Sequence, residues 1–182
     1  ELEDLELMRM AFSKNPDSSN NRKEGLKTYN KQDILDYDKK TVSISEFIDK
    51  DLKHFSTSDN IRSIPSCIDG LKPSQRKVLF GSLKRNLTKT EIKVAQLAGY
   101  ISEHAAYHHG ETSLQGTIVN MAQNYVGSNN IELLEPIGQF GTRIMGGLDS
   151  AQPRYIYTKL SSITTMLFNK QDEPLYTPQF DE

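Results

Sequence analysis

Cysteine is almost absent: Cys67 is the only one in 182 residues. A lone thiol excludes an internal disulfide and fits a reducing compartment, and its expected place is a small buried apolar position. Long apolar runs are absent too. None approaches the roughly 20 residues needed to span a bilayer, so no membrane partner is expected. The chain opens on the acidic "ELEDLELMRM", without a basic-then-apolar leader and without an initiator methionine, which fits a piece of a longer protein. No glycine-rich phosphate loop occurs. Neither sign of charge dominates, since 22 Lys and Arg face 24 Asp and Glu for a net charge of −2.

That near-neutral total argues against nucleic acid until its distribution is read. From Ile61 to Leu160 eleven basic residues face seven acidic ones, a local balance of +4 that leaves −6 for the rest. Six of the eleven fall between Lys72 and Lys89. Such a block bears on a polyanion partner more than the total does, although an ordinary solvated helix face has the same composition.

Three regions follow one another. Residues 1–42 contain an amphipathic helical opening ("LELMRMAF"), the loop-like "NPDSSNN", a second polar helical piece and a linker ending in "DYDKK". Residues 43–130 read as mostly helical. Ser43 with Glu46 three places on forms a capping-box pattern, and Ile44, Phe47, Ile48, Leu52 and Phe55 recur at helical spacing. Pro73 suits a first helical turn, with Leu79, Leu83 and Leu87 along one face. Val94, Leu97, Ala98 and Ile101 make one further stripe, and Leu114, Ile118, Met121, Ala122 and Tyr125 another. Gly110 between them permits a sharp turn, so the pair reads as a helix-turn-helix. From Ile131 glycines, prolines and short β-prone runs predict an antiparallel hairpin with a long turn, the wing of a winged helix. The fold class expected is mainly α with a small antiparallel β wing. The tail from Asn169 is expected to fray.

Chemistry concentrates at few places. "PRYIYT" holds an arginine and two tyrosines, Arg154, Tyr155 and Tyr157. A phenol of pKa near 10 is a poor nucleophile at neutral pH, and a neighbouring guanidinium supports both the phenolate and a phosphate. Adjacent strand residues point to opposite faces, so Arg154 and Tyr155 share a ligand only if the chain bends at Pro153. Spacing alone leaves Tyr155 and Tyr157 equally open, as nucleophile or as strand residues covering a core. His108 and His109 precede a glycine at a helix start, where they can donate to a phosphate held by the helix N-terminus. His104 and His108 have a helical zinc-pair spacing, but no cysteine cluster or further histidine completes a site, so no metal is expected. Gly138, Gly141, Gly146 and Gly147 are expected to serve backbone geometry.

"RSIPSCIDGLKPSQRKVLFG", "KVAQLAGYISEHAAYHHGETSL", "TIVNMAQNYVGSNNIELLEPIGQFGTR" and "PRYIYT" together resemble the winged-helix, DNA-breaking domain of type IIA topoisomerases, in wording nearest the eukaryotic topoisomerase II branch. The likeness runs from about Thr41 to Phe168. The opening segment is similar to the end of the preceding Toprim domain, whose acidic triad is not in this sequence. The resemblance implies three domain pieces: 1–42, a Toprim end and linker; 43–168, the DNA-breaking domain; 169–182, a tail toward a further domain. It implies Tyr155 as the nucleophile, Arg154 as its electrostatic partner and His109 in the cleavage site. Arg62, Lys72 and Arg76 match family positions that contact DNA, with Arg62 and Lys72 on loops around a helix start. Beside them His108 at the helix start, and the polar Thr117, Gln123 and Ser128 on or just after the second helix, are read as phosphate or sugar contacts. Thr112 and Gly116 match the family's drug pocket, where Gly116 lacks a side-chain wall.

The implied function is transient double-strand cleavage through a 5′-phosphotyrosyl bond, within an ATP-driven strand-passage enzyme. Its partners would be duplex DNA and a second copy of the chain. Mg²⁺ and ATP would be bound outside this segment. A nuclear location follows, or a cytoplasmic or virus-associated one for a viral version. The competing reading is a non-enzymatic winged-helix module, which needs the helices and the basic block but has no use for Arg154, Tyr155 or His109.

Overall fold

The structure is a computed structural model that describes residues 2–178 and 180. It divides into two compact units, Glu1–Gly70 and Leu71–Glu182.

In the first unit, α1 (Leu2–Phe12) and α2 (Pro16–Lys27) pack together. The expected loop "NPDSSNN" is instead the start of α2. Asn15 is its N-cap, accepting from the Asp17 amide at 3.1 Å, and Pro16 occupies the first helical position. Residues that favour turns also favour helix starts, because an Asn side chain satisfies an orphan amide and Pro has no amide to lose. Ser43 caps as expected, its hydroxyl accepting from the Glu46 amide at 3.1 Å. The Glu46 carboxylate, however, pairs with Lys39 at 2.8 Å. The helix that follows runs through α3 (Ile44–Glu46), a π-helical turn (Phe47–Leu52) and α4 (Lys53–Ser63). The wider turn shifts the phase of the apolar stripe. Within it only Ile48 is buried, and Phe55 is 65% exposed. Cys67 lies on the surface, contrary to expectation, in a mostly exposed segment.

The second unit holds the core. Helix α5 (Pro73–Lys84) starts at Lys72, whose amide donates to the Gln75 side chain at 2.9 Å. It packs against α6 (Val94–His104) and α7 (Glu111–Ala122). The predicted stripes face inward: Leu79 on α5, Val94, Leu97, Ala98 and Ile101 on α6, Leu114, Ile118, Met121 and Ala122 on α7. Tyr125 lies past the end of α7 and is half-buried. Gly110 is the N-cap of α7 at φ 89°, the left-handed region that glycine enters without strain.

The wing has three strands, not two. Central β3 (Tyr157–Leu160) pairs antiparallel with β2 (Leu134–Ile137) and with the two-residue β1 (Ile92–Lys93), which is too short to show any alternation in sequence. Ile156, Thr158 and Leu160 face the core, and Tyr157 and Lys159 the opposite side. Helix α8 (Ser162–Leu167) follows. The tail then forms a 3-10 helix, Lys170–Leu175, rather than unstructured chain, because Asn169 accepts from the Gln171 amide at 3.0 Å. The chain is thus mainly helical with a small antiparallel wing: a winged helix.

Candidate functional site

Tyr155 is not in a strand. Its amide donates to the Gln152 carbonyl at 2.9 Å, closing a turn with Pro153 at the second position, where a fixed φ suits it. The bend that the sequence required for Arg154 and Tyr155 to act together is therefore present. The Arg154 guanidinium carbon stands 4.9 Å from the Tyr155 ring centroid, and both side chains are exposed, Tyr155 by 65%.

Helix α6 holds this turn from behind. Its first amides lack intrahelical partners, and Lys93 offers no side-chain cap. The Val94 amide donates instead to the Ile156 carbonyl at 3.0 Å, and the Ala95 amide to the Pro153 carbonyl at 3.1 Å. Arg154 and Tyr155 lie between these two anchors and project outward. Tyr157 differs in kind. It sits in β3 opposite both Lys93 and Ile137, half-buried, with the Lys93 ammonium 5.9 Å from its ring centroid.

The segment before the turn is equally fixed. Between β2 and β3 the chain makes a long loop whose arms are joined by several hydrogen bonds. The Ala151 amide donates to the Gln139 carbonyl (2.9 Å), the Gly147 amide to the Thr142 carbonyl (2.9 Å), and Asp149 accepts from both the Thr142 amide (2.7 Å) and its hydroxyl (2.8 Å). The Thr142 amide holds the Asp149 carboxyl below the usual aspartate range. Gly141 and Gly147 let the arms touch: a Cβ on Gly141 would lie 2.6 Å from the Gly147 Cα.

His108 and His109 are exposed on the turn before α7. The turn itself is braced: the Lys77 ammonium donates to the Ala106 carbonyl at 2.8 Å, and the Ser102 hydroxyl to the Tyr107 carbonyl at 3.1 Å. Tyr107 is buried, and its ring meets that of His109 edge-on at 5.6 Å. Thr112 lies in the first turn of α7, and Gly116 on its exposed face has open space where a Cβ would stand.

The remaining candidates separate. Lys72 is the N-cap of α5 and Arg76 lies in its first turn, exposed. Arg62 is in the last turn of α4, on a helix rather than a loop, and pairs with Asp59 at 2.8 Å. Thr117 donates to the Ser113 carbonyl at 3.0 Å, back onto its own helix. Ser128 donates to the Gln123 carbonyl at 3.0 Å and to that of Tyr125. Gln123 is only 6% exposed, and its side-chain NH₂ donates to the Phe140 carbonyl at 2.8 Å, so its amide faces the interior rather than a ligand. The basic block is partly structural as well. Lys77 braces a turn, and Arg85 lies 4.8 Å from the Tyr100 ring centroid. His104 stacks on Tyr100 and bonds its carbonyl. Sequence reasoning missed Thr142, Asp149 and Lys77, since long-range pairing to a backbone amide or carbonyl carries no signature in residue spacing.

The sequence pattern of the family described as the A subunit of DNA gyrase/topoisomerase IV matches residues 62–182. The chain belongs to that family. A second pattern, the C-terminal associated domain of TOPRIM, matches residues 1–60. DNA topoisomerase 2 of Saccharomyces cerevisiae is 55% identical over 173 residues, 95% of this chain and 12% of that protein. The Bombyx mori DNA topoisomerase 2 is 62% identical over 143 residues, 79% of this chain and 9% of that one. DNA topoisomerase 2-alpha of Homo sapiens is 62% identical over 132 residues, 72% of this chain and 9% of the human protein. The crystal structure of the Plasmodium falciparum topoisomerase II DNA-binding, cleavage and re-ligation domain matches with a TM-score of 0.80 at 51% identity, over 98% of this chain and 24% of that chain. This topoisomerase-family chain therefore spans about a tenth of the length of those curated relatives.

Proposed function

We propose that the chain is the tyrosine-bearing, DNA-breaking part of a type IIA topoisomerase. The observation that carries this reading is the turn at Gln152–Tyr155, which sets an arginine against an exposed tyrosine and is anchored on both sides to α6. A non-enzymatic winged-helix module has no need of that construction. Tyr155 Oη attacks a backbone phosphorus, a P–Oη bond forms as the P–O3′ bond breaks, and the phenolic proton ends on the departing 3′ oxygen. Resealing is the reverse, with the 3′-hydroxyl as nucleophile. Arg154 stabilises the phenolate and the crowded phosphorane, being always charged and able to grip phosphate through two donors.

His109 is assigned to the cleavage site, with His108 beside it at the start of α7, where helix amides favour an anion. Lys72, Arg76 and Arg62 are assigned to DNA contact. Thr117 and Ser128 hold their hydroxyls on backbone carbonyls and reach phosphate only by exchanging those bonds. The reading includes the division at 42/43 and 168/169, the drug pocket around Thr112 and Gly116, and a nuclear location. One tyrosine cuts one strand, so a double-strand break calls for two copies in a symmetric dimer. ATP and Mg²⁺ belong to parts of the longer protein outside this chain. Among the described residues no group of three or more His, Cys, Asp or Glu side chains could hold an ion.

The test is a covalent-adduct assay on the full-length protein with Mg²⁺ present. Tyr155→Phe keeps the ring and loses the attacking oxygen, so adducts should vanish while DNA affinity stays. Tyr157→Phe should retain adduct formation. Arg154→Ala should fall between, losing a preorganised donor of the kind worth about 3 kcal/mol. Adducts from the Tyr155→Phe protein would reject the assignment, and a complete absence of adducts from the unaltered protein would leave the binding module standing.

A further inference from the structure

The body of the domain grips the long loop before Tyr155 through one buried polar side chain. Gln123 immediately follows α7, and its own amide closes the helix onto the Val119 carbonyl at 3.1 Å. Its side-chain NH₂ donates to Phe140 on one arm of the loop at 2.8 Å and points to the Gly147 carbonyl on the other at 3.4 Å. Two carbonyls around one nitrogen fix the amide's orientation, because carbonyls only accept. The Oε1 accepts from the Tyr125 hydroxyl at 3.4 Å. The backbone carbonyl of Gln123 takes the Ser128 hydroxyl (3.0 Å) and the Asn129 side-chain amide (2.8 Å). Gly147 has no side chain where one would collide with the Gln123 amide and the Tyr125 hydroxyl. Both partners of this contact are thus shaped for it.

We infer that Gln123 is a positioning residue for Tyr155: it ties the end of α7 to the loop that carries the nucleophile. The tie continues through the Ala151–Gln139 bond to the turn that α6 holds at Pro153. This inference rests on the proposed function of Tyr155 and replaces the expected contact of Gln123 with DNA. A DNA ligand would weaken affinity when lost. A positioning residue should leave affinity alone and slow the chemical step, because misplacing a reacting group by about 1 Å costs on the order of 100-fold.

Two variants of the full-length protein test it, at saturating supercoiled DNA with Mg²⁺. Gln123→Met keeps the volume and loses the donor. Its first-order rate of adduct formation should fall at least about tenfold while the DNA Kd stays within about twofold. Gln123→Glu regains a donor when its buried carboxyl is protonated, so its adduct rate relative to wild type should rise as pH is lowered. A wild-type rate in Gln123→Met overturns the inference, as does a rate loss matched by an equal loss of DNA affinity. If Gln123→Met does not fold, the Glu variant decides, and a flat relative pH profile rejects the idea. Tyr155→Phe, run alongside, separates the two levels, since adducts from that protein would reject the nucleophile assignment rather than the role of Gln123.

Discussion

Asp149 shows how a single carboxylate can hold a loop in a chosen shape. Thr142 offers it two donors, and the backbone donor is the larger cause of its lowered pKa. A group whose folded pKa is depressed contributes stability above its unfolded value, near 4 for aspartate, and loses it as pH falls through the folded value. The clasp should therefore be intact at neutral pH and open only under acid. Hydrogen exchange at the Thr142 amide should be slow at pH 7 in the wild type and fast in Asp149→Ala. Acid should then speed wild-type exchange toward the variant, after correction for intrinsic pH effects. Equal protection in the two proteins at pH 7 would show that the clasp does not hold the loop. At this scale the pairing of side chains was readable in advance and its supports were not. Arg154 beside Tyr155 was visible as a pair of adjacent letters, whereas the bonds that aim them join residues such as Ala95 and Pro153, far apart in the chain.

At the scale of elements, glycines on two helices separate packing from propensity. Gly81 on α5 lies where α6 passes, and a Cβ there would stand 2.6 Å from Ile101 Cγ1. Gly81→Ala should destabilise the second unit by about 1–3 kcal/mol, the range for overpacking. Gly116 on α7 meets nothing within 4 Å, so Gly116→Ala should stabilise by about 0.5–1 kcal/mol through helix propensity alone. Thermal unfolding of the two proteins should shift in opposite directions, and a shared direction would refute the account. The same open space at Gly116 means a drug leaning on a side chain there would find none. Element existence followed well from periodicity: the stripes of α6 and α7 are the inward faces of those helices. What periodicity missed had local causes. The "NPDSSNN" segment is helical because one Asn caps it, and the stripe ending at Phe55 loses phase because a π-turn inserts a wider step.

For the molecule, the net charge of −2 is a poor guide, because the basic residues are not all available. Lys77 bonds a carbonyl, Arg62 an aspartate, and Arg85 covers a tyrosine ring. DNA binding by the chain should be weak, with little choice of sequence and a log Kd that changes linearly with log salt by about 0.9 per phosphate neutralised. Lys72→Ala should lower that slope by about 1 for all sequences alike. An affinity indifferent to salt would count against backbone contact altogether. The winged-helix class was legible from the order of helical and β-prone stretches. The third strand was not, because its two residues are defined only by their partner.

The two amides at the start of α6 have one more consequence. They grip the Tyr155 turn through its backbone, so the grip does not depend on whether the tyrosine oxygen is free or esterified. A severed DNA end bound to that oxygen would inherit the tether. Its rejoining would be a reaction between neighbours, at a high effective concentration and without a diffusive search. A clamp built from main-chain atoms alone would in this way keep the two ends of a cut strand within reach of each other while the break is open.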